Sequence, residues 1–348
     1  MSASESFPVL SDIQRRALLT DILKSVSRSF YLTLAILPQR LREPIGLAYL
    51  TARAADTVAD TVLISPGERL EYLRLIETQL DSAAPLAGIA TIPATMAEQQ
   101  SHADEAQLLQ LLPDIFALLS SQTPADKTRI IQVVKTLISG MVFDLQTFPT
   151  EESGEVVALT TTEDLDRYTY SVAGCVGAFW TEMLIAHMPQ LRHWQGEGYE
   201  EIGIHLGKAL QYTNIIRDLP RDLRIGRCYI PQEMLQRHGL TATMLLDAAN
   251  SARARPCLDE LLALARGHYE AARRYVIDTP RRLTRLRLAA FWPMIIGLET
   301  LNKLERNRNW LDNDQLIKVE RRWVYKMIFF SLFASHSNLL LRRWLEHD

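Results

Sequence analysis

The sequence predicts an all-α protein on three observations. Apolar residues recur at the three-to-four-residue spacing of an amphipathic helix along most of the 348 residues, among abundant Ala, Leu, Arg and Glu. No stretch of useful length shows the pattern of a β-strand. Proline stands where helices begin or end, as in Ser65-Pro66 and at Pro189. With 47% hydrophobic residues, the chain can bury a large core.

Helical spacing places the elements in order along the chain. Ser65-Pro66 and Thr279-Pro280 favour helix starts, because proline suits the first helical turn. Small residues, prolines and a threonine run predict two loops, at 82–101 and 148–162. The predicted helices span residues 9–25, 40–63, 66–82, 104–121, 124–147, 163–188, 197–218, 241–250, 254–277, 281–306 and 315–345.

The composition excludes several classes of protein. Lys and Arg number 38 against 41 Asp and Glu, so the net charge of −3 provides no basic field for nucleic acid. Cys175, Cys228 and Cys257 form no CxxC pair, which favours a reducing compartment. The N-terminus lacks a signal-peptide pattern, and no apolar run reaches the ~18 residues of a spanning helix. The sequence therefore predicts a cytoplasmic protein.

The last predicted helix, 315–345, leaves two alternatives open. Its residues 327–345 are largely apolar but are interrupted by polar side chains. The helix either packs on the core or lies on a membrane surface with Phe329, Phe330 and Phe333 inserted. Peripheral membrane contact is therefore one of the expectations.

The first acidic motif is YLTARAADTVADT at residues 49–61. Asp56 and Asp60 lie four residues apart and share a helix face, where like charges cost about 0.2–0.5 kcal/mol. Arg53 and Tyr49 extend the same stripe. The alanines around the acids suit close packing more than an exposed face, which favours a functional role for the pair.

The second acidic motif lies in YTNIIRDLPRDLRIGRCYIP at residues 212–231. Asn214, Asp218 and Asp222 repeat every four residues, and Gln211 precedes them by three. This number of oxygen ligands suits Mg²⁺, which takes phosphate oxygens and water as its other ligands. Cys and His, the usual ligands of Zn²⁺, are absent from both stripes.

Pro220 complicates this second stripe. A proline inside a helix lacks the hydrogen-bond donor and clashes with the carbonyl four residues earlier, here that of Ile216. We therefore expect the helix to kink or to end near Leu219, which would take Asp222 off the stripe.

Three arginines complete the predicted chemistry. Arg53, Arg217 and Arg227 can donate to phosphate oxygens in pairs. A diphosphate held by Mg²⁺ and arginine is a good leaving group, and apolar walls would protect the carbocation left behind. If both motifs serve one site, neither loop is a domain boundary, and residues 1–348 form a single helical domain around a central cavity.

Four segments, in this order, resemble the squalene/phytoene synthase family of head-to-head prenyl transferases. They are SRSF at 27–30, YLTARAADTVAD at 49–60, YTYSVAGCVG at 168–177 and ALQYTNIIRDLPRDLRIGRCYIP at 209–231. The resemblance covers roughly residues 24–330 and implies the all-α isoprenoid-synthase fold.

The resemblance also implies roles for particular residues. The implied ligands of Mg²⁺ against the substrate diphosphates are Asp56, Asp60, Asn214, Asp218 and Asp222. The resemblance implies that Ser27, Ser29, Arg53 and Arg217 contact phosphate, that Gln211 lines the cavity and that Tyr168 lies near the departing diphosphate. With the residue patterns above, the candidate substrate-binding residues are Ser27, Ser29, Tyr49, Gln211 and Arg227, and the candidate catalytic residues are Tyr168, Arg53 and Arg217.

Two positions depart from the family pattern. Arg221 stands where the second motif usually has Glu before its last Asp. Thr57 follows the first Asp where many phytoene synthases have an acid, and this Asp-Thr pair is more similar to squalene synthases.

The basic segment LIKVERRWVY at 316–325 leaves two alternatives open. It is either an ordinary basic helix face, or a site where Lys318, Arg321 and Arg322 bind a phosphate, such as that of NADPH. In squalene synthases a basic segment in this region is associated with reductant binding. The chain has no GxGxxG motif, so any nicotinamide site is not of the Rossmann type.

The function implied by the resemblance is that of a squalene synthase. Such an enzyme joins two farnesyl diphosphates through presqualene diphosphate and reduces that intermediate with NADPH. The alternatives without a reductive step are a phytoene or dehydrosqualene synthase and an enzyme that stops at presqualene diphosphate. A non-catalytic subunit would have eroded motifs, and a terpene cyclase would lack the VAG segment. The final product, chain length and oligomeric state stay open.

Overall fold

The computed structural model describes residues 7–27, 31–96, 103–315 and 317–347. Apart from two strands of two residues each, all regular structure in these ranges is helical, so the all-α prediction is confirmed. The helices are α1 Asp12–Ala17, α2 Leu23–Ser27, α3 Tyr31–Ala35, α4 Gln39–Asp60, α5 Pro66–Asp81, α6 Thr91–Met96, α7 Ala103–Gln110, α8 Leu112–Ser120, α9 Pro124–Thr147, α10 Thr162–Thr169, α11 Cys175–His187, α12 Tyr199–Arg224, α13 Gln232–Arg237, α14 Arg255–Asp278, α15 Thr284–Arg306, α16 Arg321–Ala334 and α17 Asn338–His347. The strands are β1 Val157–Ala158 and β2 Arg227–Cys228, which pair in parallel.

The chain forms two compact units. The first comprises Met1–Leu145 and Glu182–His187, and the second comprises Gln146–Thr181 and Met188–Asp348. In the first unit α4 packs against α5 and α8. It buries Leu47, Leu50, Ala54 and Val58 completely, at the three-to-four-residue spacing that predicts the helix.

In the second unit α12 packs against α14 and α15. Two glycines allow the residues around Gly177 to approach α12 closely. A Cβ added to Gly177 would lie 1.9 Å from the carbonyl oxygen of Gly203, and one added to Gly207 would lie 2.2 Å from that of Ala173. Any larger side chain at Gly177 would therefore force the two backbones apart.

The predicted helix over 315–345 is wrong in one respect, because it is two helices, α16 and α17. Arg287 is fully buried, and it donates from Nη1 to the carbonyl of Ser335 at 2.8 Å and from Nη2 to Asn338 Oδ1 at 2.6 Å. These bonds fix the carbonyl at the end of α16 and the first side chain of α17. Residues 317–320 precede α16 without helical structure.

Other boundaries differ for local reasons. The segment predicted at 104–121 divides at Leu111, because Pro113 begins a new helix. A π-helical turn at Tyr170–Gly174 interrupts the one predicted at 163–188. The helix predicted at 241–250 is a pair of 3₁₀ turns, Ala242–Leu246 and Ala248–Ser251, each capped by a preceding side chain. The predicted loop 82–101 contains a 3₁₀ turn and α6, and α3 and α13 are absent from the prediction.

The helix α12 does not end near Leu219, so that alternative of the prediction is wrong, whereas a kink at Pro220 stays a prediction. It continues through Pro220 to Arg224. Leu219 and Leu223 are almost fully buried, and the Pro220 carbonyl accepts from Arg224 Nη1 at 3.2 Å. Packing on both sides of the proline offsets its cost, about 3 kcal/mol for a helix interior.

The cysteines agree with the expectation of a chain without disulfides. Cys175, Cys228 and Cys257 are all free and buried. In the ranges that the structure describes, no helix combines the length and the apolar character needed to cross a membrane.

Candidate active site

The first acidic motif occupies the last turns of α4 in the first unit. Arg53 and Asp56 are half-buried and Asp60 is exposed, whereas Ala54, Ala55 and Val58 of the same turns are completely buried. The alanines therefore pack α4 into the core, and the acids lie on the less buried side, as their spacing predicts.

Arg53 is the centre of this motif. One of its Nη atoms pairs with Asp56, and Nη2 donates to Glu105 Oε1 of α7 at 2.5 Å. Its Nε is buried and has no hydrogen-bond partner in the described structure. A buried donor without an acceptor is costly. A phosphate oxygen at this position would satisfy it, so the residue fits an anionic ligand.

The carboxyl group of Asp56 carries the strongest electrostatic signal of the motif. Burial, together with the neighbouring Asp60 and Glu105, raises its pKa to about 7 against the opposing effect of Arg53. Water still reaches 38% of the side chain, which relieves part of this effect. Adjacent carboxylates with excess negative charge are the donor set that a hard divalent cation neutralises, so these residues fit Mg²⁺.

Protein ligands alone do not form a closed metal site here. Within residues 7–27, 31–96, 103–315 and 317–347, no group of three His, Cys, Asp or Glu side chains converges to hold an ion. Mg²⁺ sites are commonly completed by water and by substrate phosphates, with only one or two carboxylates. The predicted metal ligands therefore stay a prediction.

The predicted phosphate-binding serines precede α4. Ser27, at the end of α2, is buried, and its hydroxyl donates to the carbonyl of Leu23. Ser29 lies outside the described residues. The hydroxyl of Tyr49 donates to the carbonyl of Val26 at 3.3 Å, so α4 contacts the end of α2. The roles of these three residues stay predictions.

Thr57, one of the two departures from the family pattern, does not belong to the acidic face. Its side chain is buried, and its hydroxyl donates to the carbonyl of Arg53 at 2.9 Å. A carboxylate here would lose its hydration, which is costly. A small hydroxyl suits this packing better than an acid.

The second acidic motif lies on α12 in the second unit. Asn214, Asp218 and Asp222 are half-buried, whereas Ile215 and Leu219 between them are buried. Because α12 continues past Pro220, Asp222 stays at the four-residue spacing of the stripe. Gln211 joins the same face, where its Oε1 accepts from Asn214 Nδ2 at 3.4 Å.

Arg217 forms a bidentate pair with its neighbour Asp218. Its Nε donates to Oδ1 at 2.8 Å and its Nη2 donates to Oδ2 at 2.5 Å. These hydrogen bonds raise the pKa of Arg217, with a further contribution from Asp222, against the effect of burial. The guanidinium is thus held over the acidic stripe of α12.

Arg227 follows α12 in β2 and is held by Glu151. Its Nη2 lies 3.3 Å from Glu151 Oε1, and both side chains are largely buried. The preceding Gly226 has φ of +85°, and a Cβ there would lie 2.7 Å from the carbonyl oxygen of Glu155. Glycine is therefore required for the chain to turn from α12 into β2, where Arg227 pairs with Val157.

Tyr168 lies near the end of α10 and is buried against Tyr229. The hydroxyl of Tyr168 donates to that of Tyr229 at 3.2 Å, and the rings stack with centroids 4.8 Å apart. The π-helical turn Tyr170–Gly174 follows directly, and such turns are frequent at functional sites. The predicted catalytic role of Tyr168 is untested by this geometry.

Three partners of the candidate residues are absent from the sequence-based prediction. Tyr229 lies inside the quoted second motif, so its position next to Arg227 and Cys228 was the available signal. Glu105 and Glu151 are 52 and 76 residues from the arginines they pair with, and no local pattern marks them.

The basic residues suggested for NADPH lie at the start of α16. Lys318 precedes the helix, and Arg321 and Arg322 are its first two residues; all three are exposed. The choice between an ordinary basic helix face and a phosphate site stays open.

A comparison with protein families decides the membership of this chain. The model of the family described as squalene/phytoene synthase matches residues 23–323. The chain belongs to the squalene/phytoene synthase family. This is a family of head-to-head prenyl transferases, and the resemblance predicted from four short segments is confirmed.

Two curated relatives give the degree of similarity. Squalene synthase BSS of Botryococcus braunii is 26% identical over 331 residues, covering 92% of this chain and 66% of the relative. A bifunctional lycopene cyclase/phytoene synthase of Phaeosphaeria nodorum is 30% identical over 259 residues, covering 74% of this chain and 41% of the relative. The chain thus spans less than two thirds of the length of either relative.

Among solved structures, the complex of TcSQS with the ligand E5700 is similar to this chain. The TM-score is 0.75 at 22% sequence identity, covering 96% of this chain and 90% of the other. At this identity the likeness shows the fold alone, and the predicted isoprenoid-synthase fold is confirmed.

Proposed function

We propose that this chain condenses two farnesyl diphosphates head to head through presqualene diphosphate and reduces the intermediate to squalene with NADPH. The observation that carries the proposal is the repeated combination, on α4 and on α12, of carboxylates four residues apart with an arginine bonded to one of them. The family membership of the chain supports the same reaction class.

In the first motif, Arg53 is the proposed phosphate ligand. Its buried Nε has no acceptor, and its Nη atoms hold Asp56 and Glu105 in place. Asp56 and Asp60 would hold Mg²⁺ against one diphosphate. Tyr49 of α4, whose hydroxyl contacts the end of α2, and Ser27 at that end are the proposed substrate contacts, together with Ser29.

In the second motif, Asn214, Asp218 and Asp222 would hold Mg²⁺ against a diphosphate. Arg217, which is bonded to Asp218, would donate hydrogen bonds to the oxygens of that diphosphate, and Gln211 lies on the same face of α12. Arg227 is the further proposed phosphate contact. The proposed catalytic group Tyr168 is buried against Tyr229 and would lie near the reacting carbons.

The reaction balances in two halves. Bound Mg²⁺ would neutralise charge on the diphosphates and so favour their departure. In the first half the allylic carbon of one substrate loses diphosphate and bonds to the double bond of the other, and a proton is lost. In the second half presqualene diphosphate loses its diphosphate, the cation rearranges, and a hydride from NADPH completes squalene, for which Lys318, Arg321 and Arg322 are the proposed contacts of the cofactor phosphate.

One alternative outcome of the second half-reaction is supported by a separate observation. Without a hydride the rearranged cation loses a proton, which gives a dehydrosqualene or a phytoene according to chain length. The similarity to a bifunctional lycopene cyclase/phytoene synthase favours keeping this candidate. Release of presqualene diphosphate itself is the third outcome.

The test is a product analysis with purified protein. Radiolabelled farnesyl diphosphate is incubated with Mg²⁺, with and without NADPH, and the extracted lipids are identified by mass. Squalene formed only with NADPH is the expected result. Presqualene diphosphate or dehydrosqualene in both reactions would replace the proposal by its non-reductive alternative.

A pair of matched variants distinguishes the loss of a motif side chain from general damage to the fold. Asp218→Asn removes one carboxylate of the second motif, and Asp314→Asn removes an exposed carboxylate in another part of the same unit. We expect loss of activity only in the first. No turnover by the wild type on farnesyl or geranylgeranyl diphosphate would contradict the proposed enzyme activity.

A further inference from the structure

One lysine side chain of α12 runs along the π-helical turn that follows Tyr168. Its ammonium Nζ, on Lys208, lies 2.6 Å from Asp166 Oδ1 of α10 and 6.0 Å from the centroid of the Tyr170 ring. Its stem passes the other end of the turn, because a Cβ added to Gly174 would lie 3.4 Å from Lys208 Cγ. The side chain therefore reaches from the last residue of the turn, past the first, to the helix before it.

The surroundings of this lysine fix its position. Water reaches 12% of the Lys208 side chain, against 55% of the Asp166 side chain. Burial of an ammonium is costly unless other groups compensate its charge. The carboxylate of Asp166 and the face of the Tyr170 ring both do so here. We name the four residues Lys208, Asp166, Tyr170 and Gly174 the lysine clamp.

The π-helical turn sets the direction of Tyr168 relative to α11. In the turn, the N–H of Cys175 donates to the carbonyl of Tyr170, five residues earlier, so it holds one residue more than an α-helical turn. On an uninterrupted α-helix Tyr168 and Gly177 would lie about 180° apart, and one extra residue reduces this angle to about 80°. A change in the turn would therefore rotate Tyr168 away from its present place.

The two ends of the turn are held to α12 by different means. At the C-terminal end the backbones are in contact, since a Cβ added to Gly207 would lie 2.2 Å from the carbonyl oxygen of Ala173. At the N-terminal end the lysine clamp links α12 to Asp166, two residues before Tyr168. Loss of the lysine would leave the backbone packing in place and would release the end that carries Tyr168.

We propose that Lys208 is a positioning residue, which holds α10 and the π-helical turn so that the hydroxyl of Tyr168 keeps a fixed place. This inference rests on the proposed function, in which Tyr168 lies near the reacting carbons. The ammonium of Lys208 bonds to Asp166 and lies over Tyr170, so it acts through these groups and not on the substrate. Reaction rates depend steeply on placement, and a displacement of about 1 Å can cost about a hundredfold.

The first experiment measures the steady-state kinetics of Lys208→Met, which keeps the length of the side chain and removes its charge. We expect kcat for farnesyl diphosphate to fall by about tenfold to a hundredfold, with KM within about twofold of the wild type. The proposed diphosphate contacts Arg53, Arg217 and Arg227 are untouched, which is why KM should hold. An unchanged kcat, or a loss confined to KM, would overturn the proposal.

A conservative variant and a matched control separate the clamp from the loss of any ion pair. Lys208→Arg keeps a charged donor for Asp166 and should recover most of the lost kcat, whereas a value as low as that of Lys208→Met would contradict the proposal. Lys135 of α9 pairs with Asp81 of α5 in the first unit, which is also an ion pair between two helices. Lys135→Met should leave kcat and KM unchanged.

A double-mutant cycle tests whether Lys208 acts through its partner. Asp166→Asn should lower kcat in the same direction as Lys208→Met. The double variant should be no slower than the slower single variant, because removal of either partner breaks the same link. Losses in kcat that multiply in the double variant would show two independent effects and would refute the clamp.

Hydrogen–deuterium exchange of the full chain without substrate tests the clamp independently of turnover. In Lys208→Met we expect the amides of residues 166–175 to exchange at least about tenfold faster, because local opening becomes easier, while those of α15 exchange as in the wild type. Unchanged exchange at 166–175 would show that the lysine does not hold the turn. Faster exchange throughout the chain would show a general loss of stability, and either result would overturn the proposal.

Failure of the proposed function is distinguishable from failure of the clamp. A wild type without turnover would refute the reaction and with it the positioning role of Lys208, and the exchange experiment would still decide whether the lysine holds the turn. An active wild type with an unaltered Lys208→Met variant would refute the clamp alone.

Discussion

Arg53 is the residue whose surroundings argue most directly for a ligand. It has two carboxylate partners and a buried Nε without an acceptor. We predict that Arg53→Gln lowers kcat/KM for farnesyl diphosphate by about 10²–10³, the range for removing one preorganised donor to a developing anion. Steady-state kinetics at saturating Mg²⁺ measures the loss.

A matched control for this variant is available on the neighbouring helix. Arg74 lies exposed on α5, and Arg74→Gln should keep wild-type kinetics. If Arg53→Gln lost activity only in proportion to a loss of folded protein, the residue would be a structural link between α4 and α7 and not a phosphate ligand.

His268 gives the second prediction at this scale, which concerns stability and pH. Its Nδ1 lies 2.7 Å from Nδ1 of His205, and its ring stacks on Tyr212. Burial, together with the charges of His205 and Lys208, lowers the pKa of His268 to about 4 against the opposing effect of Asp166. The folded chain therefore binds this proton less readily than the unfolded chain does.

The lowered pKa of His268 determines how the stability of the fold changes with pH. The stabilising contribution of neutral His268 is complete above the ordinary pKa of about 6.5 and is lost as the pH falls toward about 4. Because the site is only partly buried, we expect a loss of roughly 1–2 kcal/mol. Denaturant titrations at pH 7 and pH 4.5 should show a smaller difference for His268→Asn than for the wild type, and equal differences would contradict the assignment.

At the scale of elements, the close approach between residue 177 and α12 makes a sharp prediction. Gly177→Ala places a Cβ where the carbonyl of Gly203 already lies, within 1.9 Å. The backbone must shift, so we expect a loss of at least about 3 kcal/mol of unfolding free energy, the upper range for overpacking. Chemical denaturation monitored by circular dichroism measures it.

Gly267 of α14 is the matched control, because it is also helical but a Cβ there meets nothing within 4 Å. Gly267→Ala should stabilise the protein by about 0.4–1 kcal/mol through the lower entropy of the unfolded chain. Equal effects of the two substitutions would show that the approach at Gly177 is looser than the structure indicates.

The elements also show how far the sequence can predict this fold. Periodicity gives the long helices such as α9 and α14 nearly residue for residue, because it reports which face is buried. It does not give the break between α16 and α17, which depends on Arg287, 48 residues before Ser335. Nor does it give the passage of α12 through Pro220, where packing outweighs local preference.

The residues of the candidate site likewise include some that the sequence predicts and some that it does not. Asp56, Asp60, Asn214 and Asp218 could be predicted, because their four-residue spacing is local. Glu105 and Glu151 could not, since each pairs with an arginine through the folding of distant segments. Prediction from sequence therefore supplies the motifs, and the structure supplies the groups that hold their arginines.

At the scale of the whole molecule, a ligand that binds the folded chain must raise its stability. We predict that Mg²⁺ with inorganic diphosphate, a product of the proposed reaction, raises the melting temperature by several degrees. A ligand at about a hundredfold its Kd stabilises by about 2.7 kcal/mol, and 1 kcal/mol corresponds to about 2–4 °C for chains of 150–250 residues. Diphosphate with EDTA should have a smaller effect.

Calorimetry makes this a test of the motifs and of the predicted single domain together. Asp60→Asn removes a proposed Mg²⁺ ligand and should reduce the shift, whereas Asp21→Asn, an exposed acid of the first unit, should not. We propose that residues 1–348 melt in one transition, all of which moves with ligand. Two melting transitions, of which only one shifts with ligand, would refute the single domain and locate binding in one unit. A melting profile that does not shift at all would refute the diphosphate site, because a ligand that binds only the folded state must raise the stability of that state.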